Sequence, residues 1–162
     1  MAMAPPLQER SMFRHLLVPI DGSDLSRAAV TAAVAFARDA GARITFFHAQ
    51  TSFLGRADMA LYGESLMLDP AVAEQFAKAN ASYAGSLLAE AASQAEAAGV
   101  EASGLTVVNS VVYEAIIAAA REQGCDLIYM ASHGRRGLGG LLLGSETQRV
   151  LTHSPLPVLV HR

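Results

Sequence analysis

Cysteine is almost absent from this chain, which has only Cys125 among its 162 residues. A single cysteine cannot form an internal disulfide and leaves no cysteine framework for a metal, which fits a reducing compartment. Long apolar runs are also missing, since stretches such as 16–20 and 44–49 are far shorter than the roughly 20 residues that span a bilayer. The first residues lack the apolar core of a signal peptide. We therefore expect a soluble cytoplasmic protein without membrane association.

Positive charge is also scarce. Lysine and arginine number 12 against 15 acidic residues, so the net charge is −3 and the pI is about 5.9. This balance argues against non-specific binding of nucleic acid, which needs many contacts between basic side chains and phosphates. A hydrophobic content of 52% is ample for the core of one domain of this length. We expect a flexible tail at residues 1–12 and one domain at 13–162.

Strand-like apolar runs alternate with segments of helical periodicity along the chain. Strands are predicted at 13–21, 42–50, 100–108, 125–131 and 156–162, with a long loop or flap at 51–68. The run at 125–131 is almost continuously apolar, as expected where both faces of a parallel sheet are covered. The pattern predicts an α/β fold, an open five-stranded parallel sheet with helices on both faces.

Capping signals set the helix boundaries that the sequence predicts. The first helix is capped by Ser23 or Asp24 and ends at Gly41; the second begins at Asp69-Pro70 and ends at Gly99. The spacing predicts one apolar face on the second helix, formed by Val72, Phe76, Tyr83 and Leu87. The third helix is predicted at 110–124 with Ser110 as its cap and Gly124 as its stop, and a short helix at about 145–152.

A glycine-rich stretch follows the strand at 125–131. In open α/β sheets, ligands bind beyond the carboxyl ends of the strands. Glycines from Gly134 to Gly140 let backbone N–H groups converge there, and Gly144-Ser145 opens a helix whose positive end favours an anion such as phosphate. Helix capping is a competing interpretation, because Ser145 and Gln148 also fit a capping box. The stretch is neither a P-loop nor a dinucleotide fingerprint, since it lacks the required lysine and third glycine.

The motifs at both ends of the chain resemble the universal stress protein family. The resemblance covers residues 13–162 apart from the flap, and it rests on "VPIDGSDLSRAAV", "FFHAQ" and "DLIYMASHGRRGLGGLLLGSETQRVLTHSPLPVLVHR". The nucleotide-binding branch carries Gly-x-x-Gly, nine residues, then Gly-Ser or Gly-Thr. Here Gly134 and Gly144-Ser145 fit this pattern, whereas Ala131 replaces the first glycine. The resemblance implies a Rossmann-like fold of the adenine nucleotide alpha hydrolase type and binding of ATP, ADP or AMP, with or without Mg²⁺.

The resemblance also implies a role for each matching residue. Asp21 and the Ala49 backbone would hold the adenine, with Pro19 and Ile20 in its wall. Contacts to the ribose and phosphates would come from Met130, Ala131, Gly134, Gly144, Ser145, Glu146 and Thr147. From the residues alone, Asp21-Gly22 could equally form a turn, and Glu146 would repel a phosphate if it pointed inward.

Other polar residues have simpler explanations. His48 and His133 lack a second ligand at metal spacing, and His133 is better explained as a residue that orders its loop by hydrogen bonding. Cys125 is expected to pack as a small buried hydrophobe.

Three functions follow as hypotheses. The leading one is a cytoplasmic stress-response protein that binds an adenine nucleotide and changes its shape or partners; no catalytic residues are predicted, because the sequence shows no nucleophile with a matching base. A nucleotide-free dimeric interaction module is the second, favoured by Ala131 and Glu146. A slow ATP-hydrolysing or adenylyl-transferring enzyme is the third. The terminal strand 156–162 predicts a homodimer, since another chain would cover its edge, and the protein partner is unknown.

Overall fold

A computed structural model describes residues 12–52, 70–133 and 143–162 of the chain. Its strands are β1 (His15–Pro19), β2 (Arg43–Gln50), β3 (Ala102–Val108), β4 (Leu127–Ala131) and β5 (Val158–His161). The helices between them are α1 (Asp24–Ala40), α2 (Pro70–Ala97), α3 (Val112–Glu122) and α4 (Ser145–His153). The expected features at 1–11, most of the 51–68 flap, Asp69 and the glycines from Gly134 to Gly140 lie outside the described residues.

The five strands are parallel and lie in the order β3-β2-β1-β4-β5. One face of the sheet, including Leu16 and Phe46, packs against α1 and α2. The other face, including Leu17 and Ile128, packs against α3 and α4. Side chains alternate between the two faces along each strand, so a strand covered on both sides must be apolar throughout. The predicted α/β sheet with helices on both faces is confirmed.

The order of the strands places a reversal between β1 and β4. From β1 the chain builds outward to β2 and β3 on one side, and β4 and β5 lie on the other. The registered pairs of β1 with β4 are Leu16 with Leu127 and Leu17 with Ile128, so the two strands are not paired with each other beyond these residues. Pro19 has no N–H to extend the ladder. A reversal of this kind opens a crevice at the carboxyl ends of the two strands.

The boundaries of α1 follow its sequence signals. Ser23 is the N-cap, and its hydroxyl oxygen accepts a hydrogen bond from the Ser26 N–H at 3.1 Å. Gly41 ends the helix in the left-handed region, with φ of 64°. Both residues were predicted for these positions, so local capping chemistry determines this helix.

The apolar face predicted for α2 is only partly correct, because Leu87 is buried whereas Val72 and Phe76 are partly buried. The buried side chains of this helix are Ala84, Leu87, Ala91 and Ala95. Small alanine side chains let the helix backbone approach the sheet, and Gly104 on β3 assists, because a Cβ there would lie 3.2 Å from the Leu88 Cβ. Tyr83, predicted to be apolar packing, is 37% exposed.

The predicted cap of α3 and the competing interpretation of Ser145 as a cap are also wrong. Val111, not Ser110, is the N-cap of α3, and it makes no side-chain cap hydrogen bond. Gly144, not Ser145, is the N-cap of α4, so the alternative capping box of Ser145 with Gln148 does not form. The backbone enters α3 one residue later and α4 one residue earlier than the serine pattern indicates, because tertiary contacts described below position these helix ends.

Candidate functional site

The residues predicted to bind a ligand gather at the carboxyl ends of β1, β2 and β4. Pro19 ends β1 and is followed by Ile20 and Asp21, whereas Met130 and Ala131 end β4. Ala49 lies near the end of β2. Ile20, Met130 and Ala131 are buried, and the other three residues are partly buried. The predicted contact at Gly134 lies outside the described residues.

Asp21 builds a turn at the start of α1. Its Oδ1 accepts hydrogen bonds from the Ser23 N–H at 3.0 Å and from the Ser23 hydroxyl at 2.7 Å. Its own N–H donates to the Ser26 hydroxyl oxygen at 3.2 Å. The alternative interpretation, that Asp21-Gly22 forms a turn, is therefore correct as a description of the backbone. The same bonds fix the Asp21 carboxylate beside the crevice, where a carboxylate can accept hydrogen bonds from an amine or hydroxyl.

The N-terminus of α4 lies beside the end of β4. The first helical bond runs from the Gln148 N–H to the Gly144 carbonyl at 2.9 Å, so the N–H groups of Ser145, Glu146 and Thr147 precede it. The N-cap residue, Gly144, provides no side-chain cap, and no described side chain takes its place, so the N–H groups and the helix dipole favour an anion.

Two hydrogen bonds attach this helix end to β4. The Thr147 hydroxyl, which is buried, donates to the Ala131 carbonyl at 3.0 Å. The Gly144 N–H donates to the Ser132 carbonyl at 2.8 Å. The hydroxyl of Thr147 is thereby committed to the protein, so its remaining donor for a ligand is the backbone N–H.

Glu146 turns its side chain to a neighbouring helix. Its Oε2 accepts a hydrogen bond from the Tyr113 N–H at 2.9 Å, in the first turn of α3. Its Oε1 lies 3.4 Å from the Arg149 Nη1. Glu146 thus supplies the cap that α3 lacks from its own residues. Because both carboxylate oxygens have partners on the protein, Glu146 does not point inward in the way that would repel a phosphate.

The two histidines at this edge of the sheet hold backbone and neighbouring side chains. His48 Nδ1 lies 2.8 Å from the Ile20 carbonyl oxygen, and His133 Nδ1 lies 3.1 Å from the Ser132 hydroxyl. Among the described residues, the buried His133 Nε2 has no hydrogen-bond partner. In the described parts of the chain, no group of three His, Cys, Asp or Glu side chains could hold a metal ion. Cys125 lies at the opposite end of β4, where burial raises the pKa of its thiol to about 12.

Sequence reasoning missed the contacts that α2 makes with this edge. The Asn80 side-chain amide donates to the Thr51 carbonyl at 3.0 Å, and the Tyr83 hydroxyl donates to the Asp21 carbonyl at 3.2 Å. Both contacts join residues that are far apart in the chain, so no local spacing could have indicated them.

Comparison with known proteins identifies the family. The model of the Universal stress protein family matches residues 12–162. The chain belongs to this family. The universal stress protein YxiE of Bacillus subtilis is 33% identical over 155 residues, a match that covers 93% of this chain and 100% of YxiE. The "Universal stress protein in QAH/OAS sulfhydrylase 3'region" of Thermus aquaticus is 31% identical over 151 residues, with coverage of 93% and 100%. The resemblance found in the sequence is thereby confirmed.

Solved structures of universal stress proteins share the fold. Protein MJ0577 of Methanocaldococcus jannaschii superposes with a TM-score of 0.74 at 24% identity, covering 92% of this chain and 95% of MJ0577. A universal stress protein in complex with cAMP gives 0.62 at 24% identity, with coverage of 93% and 97%. The Archaeoglobus fulgidus protein in complex with dAMP gives 0.60 at 19% identity, with coverage of 92% and 98%. At these identities the likeness shows the fold of this family member. No described helix is long and apolar enough to cross a membrane.

Proposed function

We propose that this universal stress protein binds an adenine nucleotide at the carboxyl ends of β1 and β4 and acts as a nucleotide-dependent regulator in the stress response. The observation that carries the proposal is the first turn of α4. Among the described residues no side chain caps its N–H groups, the turn is bonded to the end of β4, and the carboxylate of Glu146 in this turn is bound to α3. A helix end in this condition favours a phosphate.

The remaining predicted residues fit the same ligand. Asp21 and the Ala49 backbone would hold the adenine against Pro19 and Ile20. Ribose and phosphate contacts would come from Met130, Ala131 and Gly134, from the backbone of Gly144, and from the N–H groups of Ser145, Glu146 and Thr147. The Gly144 N–H itself is bonded to the Ser132 carbonyl. His133 Nε2, two residues beyond β4 and without a partner in the described ranges, offers one more polar atom at this edge.

Nucleotides bound to two proteins of the same fold support an adenine ligand. One of those proteins is in complex with cAMP and the other with dAMP. This fold therefore accommodates an adenine nucleotide, and the choice among ATP, ADP, AMP and a cyclic nucleotide is a matter for measurement. We assign Mg²⁺ no ligand among the described side chains. The proposed location is the cytoplasm, where the buried thiol of Cys125 would stay reduced.

A dimeric interaction module that works without nucleotide is the second candidate. It is favoured by Ala131, whose methyl group stands where the nucleotide-binding pattern of the family has glycine. It is also favoured by the position of β5 at the edge of the sheet, where, among the described residues, only β4 pairs with the strand. An exposed strand edge is stabilised when a second copy covers it. Homodimer formation through β5 is compatible with both candidates.

The decisive test is to identify what the purified protein binds. The protein is denatured, the released small molecules are identified by absorbance and chromatography, and the refolded protein is titrated calorimetrically with ATP, ADP, AMP and cAMP. We expect an adenine nucleotide to be released or to bind. Release of none, together with no binding of any of the four, would overturn the proposal in favour of the interaction module.

Gly144→Val then locates the phosphates. The φ of Gly144 is −59°, a value that valine also adopts, so the substitution adds a branched side chain beside the N–H groups without straining the backbone. We expect nucleotide affinity to fall by about tenfold or more, equivalent to roughly 1.4 kcal/mol. The control is Leu151→Val, an exposed change on the same helix, which should leave affinity unaltered. Full affinity in a folded Gly144→Val variant would place the ligand elsewhere.

A further inference from the structure

Tyr83 contacts the candidate base-binding loop from a distant part of the chain. Its hydroxyl donates to the Asp21 carbonyl oxygen at 3.2 Å across a separation of 62 residues. Because a carbonyl oxygen only accepts hydrogen bonds, the tyrosine must be the donor. Tyr83 is 37% exposed, so burial of apolar surface alone does not explain its position.

His48 holds the preceding peptide of the same loop. Its Nδ1 lies 2.8 Å from the Ile20 carbonyl oxygen, and this nitrogen must therefore carry the proton. The rings of His48 and Tyr83 meet edge to face, with centroids 5.8 Å apart and an angle of 75° between their planes. Two consecutive carbonyl groups, those of Ile20 and Asp21, are thus held by two side chains that also contact each other.

Gly22 makes this close approach possible. Its φ is 81°, in the left-handed region, and a Cβ at this position would collide with the Tyr83 hydroxyl. The loop backbone at Gly22 therefore lies in direct contact with the Tyr83 hydroxyl. In the same loop, the Asp21 N–H is bonded to Ser26 and the Asp21 Oδ1 to Ser23, so the backbone and the side chain of Asp21 are both held by hydrogen bonds.

We infer that Tyr83 is a positioning residue for the Asp21 carboxylate and, through it, for recognition of the adenine base. This inference rests on the proposed nucleotide binding. Tyr83 fixes the Asp21 peptide by its carbonyl, and the turn bonds from Ser23 then fix the carboxylate relative to that peptide. Loss of the Tyr83 hydroxyl should let the peptide rotate, which moves the carboxylate relative to the base.

The test removes the Tyr83 hydroxyl in two backgrounds. Tyr83→Phe keeps the ring against His48, and we expect it to weaken ATP binding roughly three- to tenfold, the usual range for one lost hydrogen bond. In an Asp21→Ala background the same change should cost nothing, because the carboxylate that it positions is gone. The control is Tyr113→Phe, which removes a hydroxyl bonded to Glu114 on α3. Equal loss in both backgrounds, or no loss in either, would overturn the inference.

A measurement without nucleotide separates this inference from the proposed function. Hydrogen exchange at the Ser23 amide, which is bonded to Asp21 Oδ1, should accelerate in Tyr83→Phe and not in Tyr113→Phe. An unchanged Ser23 amide would overturn the positioning role whatever the protein binds. If the wild-type protein binds no adenine nucleotide, the proposed function fails, and the proposed role of Tyr83 in recognition of the adenine base fails with it. Faster exchange in Tyr83→Phe would then still establish that Tyr83 orders the Asp21 turn.

Discussion

Replacing Glu146 with alanine should destabilise the folded protein, because its carboxylate caps a helix to which it does not belong. The first helical bond of α3 runs from the Ala115 N–H to the Val111 carbonyl, so the Tyr113 N–H has no partner within the helix. Val111 offers no side-chain cap. Glu146 Oε2, at 2.9 Å from the Tyr113 nitrogen, fills this place.

The size of the effect follows from the geometry. Loss of a helix cap costs about 0.5–2 kcal/mol. The Glu146 side chain is 37% exposed, so solvent screens part of its charge. The ion pair between Glu146 and Arg149 spans 3.4 Å, and the Arg149 side chain is more than half exposed, so the pair adds at most a few tenths of a kcal/mol to the stability. We expect Glu146→Ala to lower the free energy of unfolding by about 1 kcal/mol, or the melting temperature by about 2–4 °C.

Urea denaturation of three variants tests this account. Arg149→Ala should cost only a few tenths of a kcal/mol. Glu146→Gln keeps an oxygen acceptor and should fall between the wild type and Glu146→Ala. If Glu146→Ala and Arg149→Ala had the same stability, the bond to Tyr113 would contribute nothing and the reasoning would be wrong. The ATP affinity of Glu146→Ala provides a second measurement. If the Glu146 carboxylate were aimed at the phosphates, it would hinder ATP binding, and its removal would tighten binding severalfold. We expect a change below about threefold.

Three further predictions concern other parts of the molecule. Asp21→Ala should weaken ATP binding by about ten- to a hundredfold, or 1–3 kcal/mol, in calorimetric titrations, and unchanged affinity would leave Asp21 as a turn residue alone. Val160→Lys should dissociate the proposed β5 dimer in sedimentation equilibrium, whereas a wild-type monomer at micromolar concentration would refute dimerisation. His15 is buried, and desolvation lowers its pKa below the ordinary value of 6.5, with Arg43 acting in the same direction. The unfolded chain therefore binds the proton more readily, so the free energy of unfolding should fall as the pH drops below about 6.5. His15→Gln should make this fall with pH less steep in denaturation series from pH 7 to 5. An identical pH dependence in the variant and the wild type would contradict the prediction.

Much of the fold could be predicted because its signals are local. Apolar runs marked the five strands, and Ser23 and Gly41 bounded α1 by chemistry confined to a few residues. The buried face of α2 could not be found in this way. Helical periodicity is evident in large apolar side chains, whereas in α2 mainly alanines lie against the sheet and allow a close approach.

The candidate site shows the same division. Its location followed from the rule for parallel sheets, because the order of elements was evident in the sequence. The direction of the Glu146 side chain depended on α3, 33 residues earlier in the chain, and the role of Tyr83 on a loop 62 residues away. Ser145 matched a capping pattern that does not form. Contacts between distant segments decide these details, and periodicity carries no information about them.

The hydrogen bonds between α4 and β4 determine at which step the entropy cost of ordering the first turn of α4 arises. Gly144 and Thr147 hold the first turn of α4 against β4 within the folded chain itself. The conformational entropy of arranging the Ser145, Glu146 and Thr147 N–H groups is therefore lost during folding, so association with an anion need not order them again. Weakening the Thr147 bond should then show mainly as faster dissociation. Thr147 thus transfers an entropy cost from every binding event to the single event of folding.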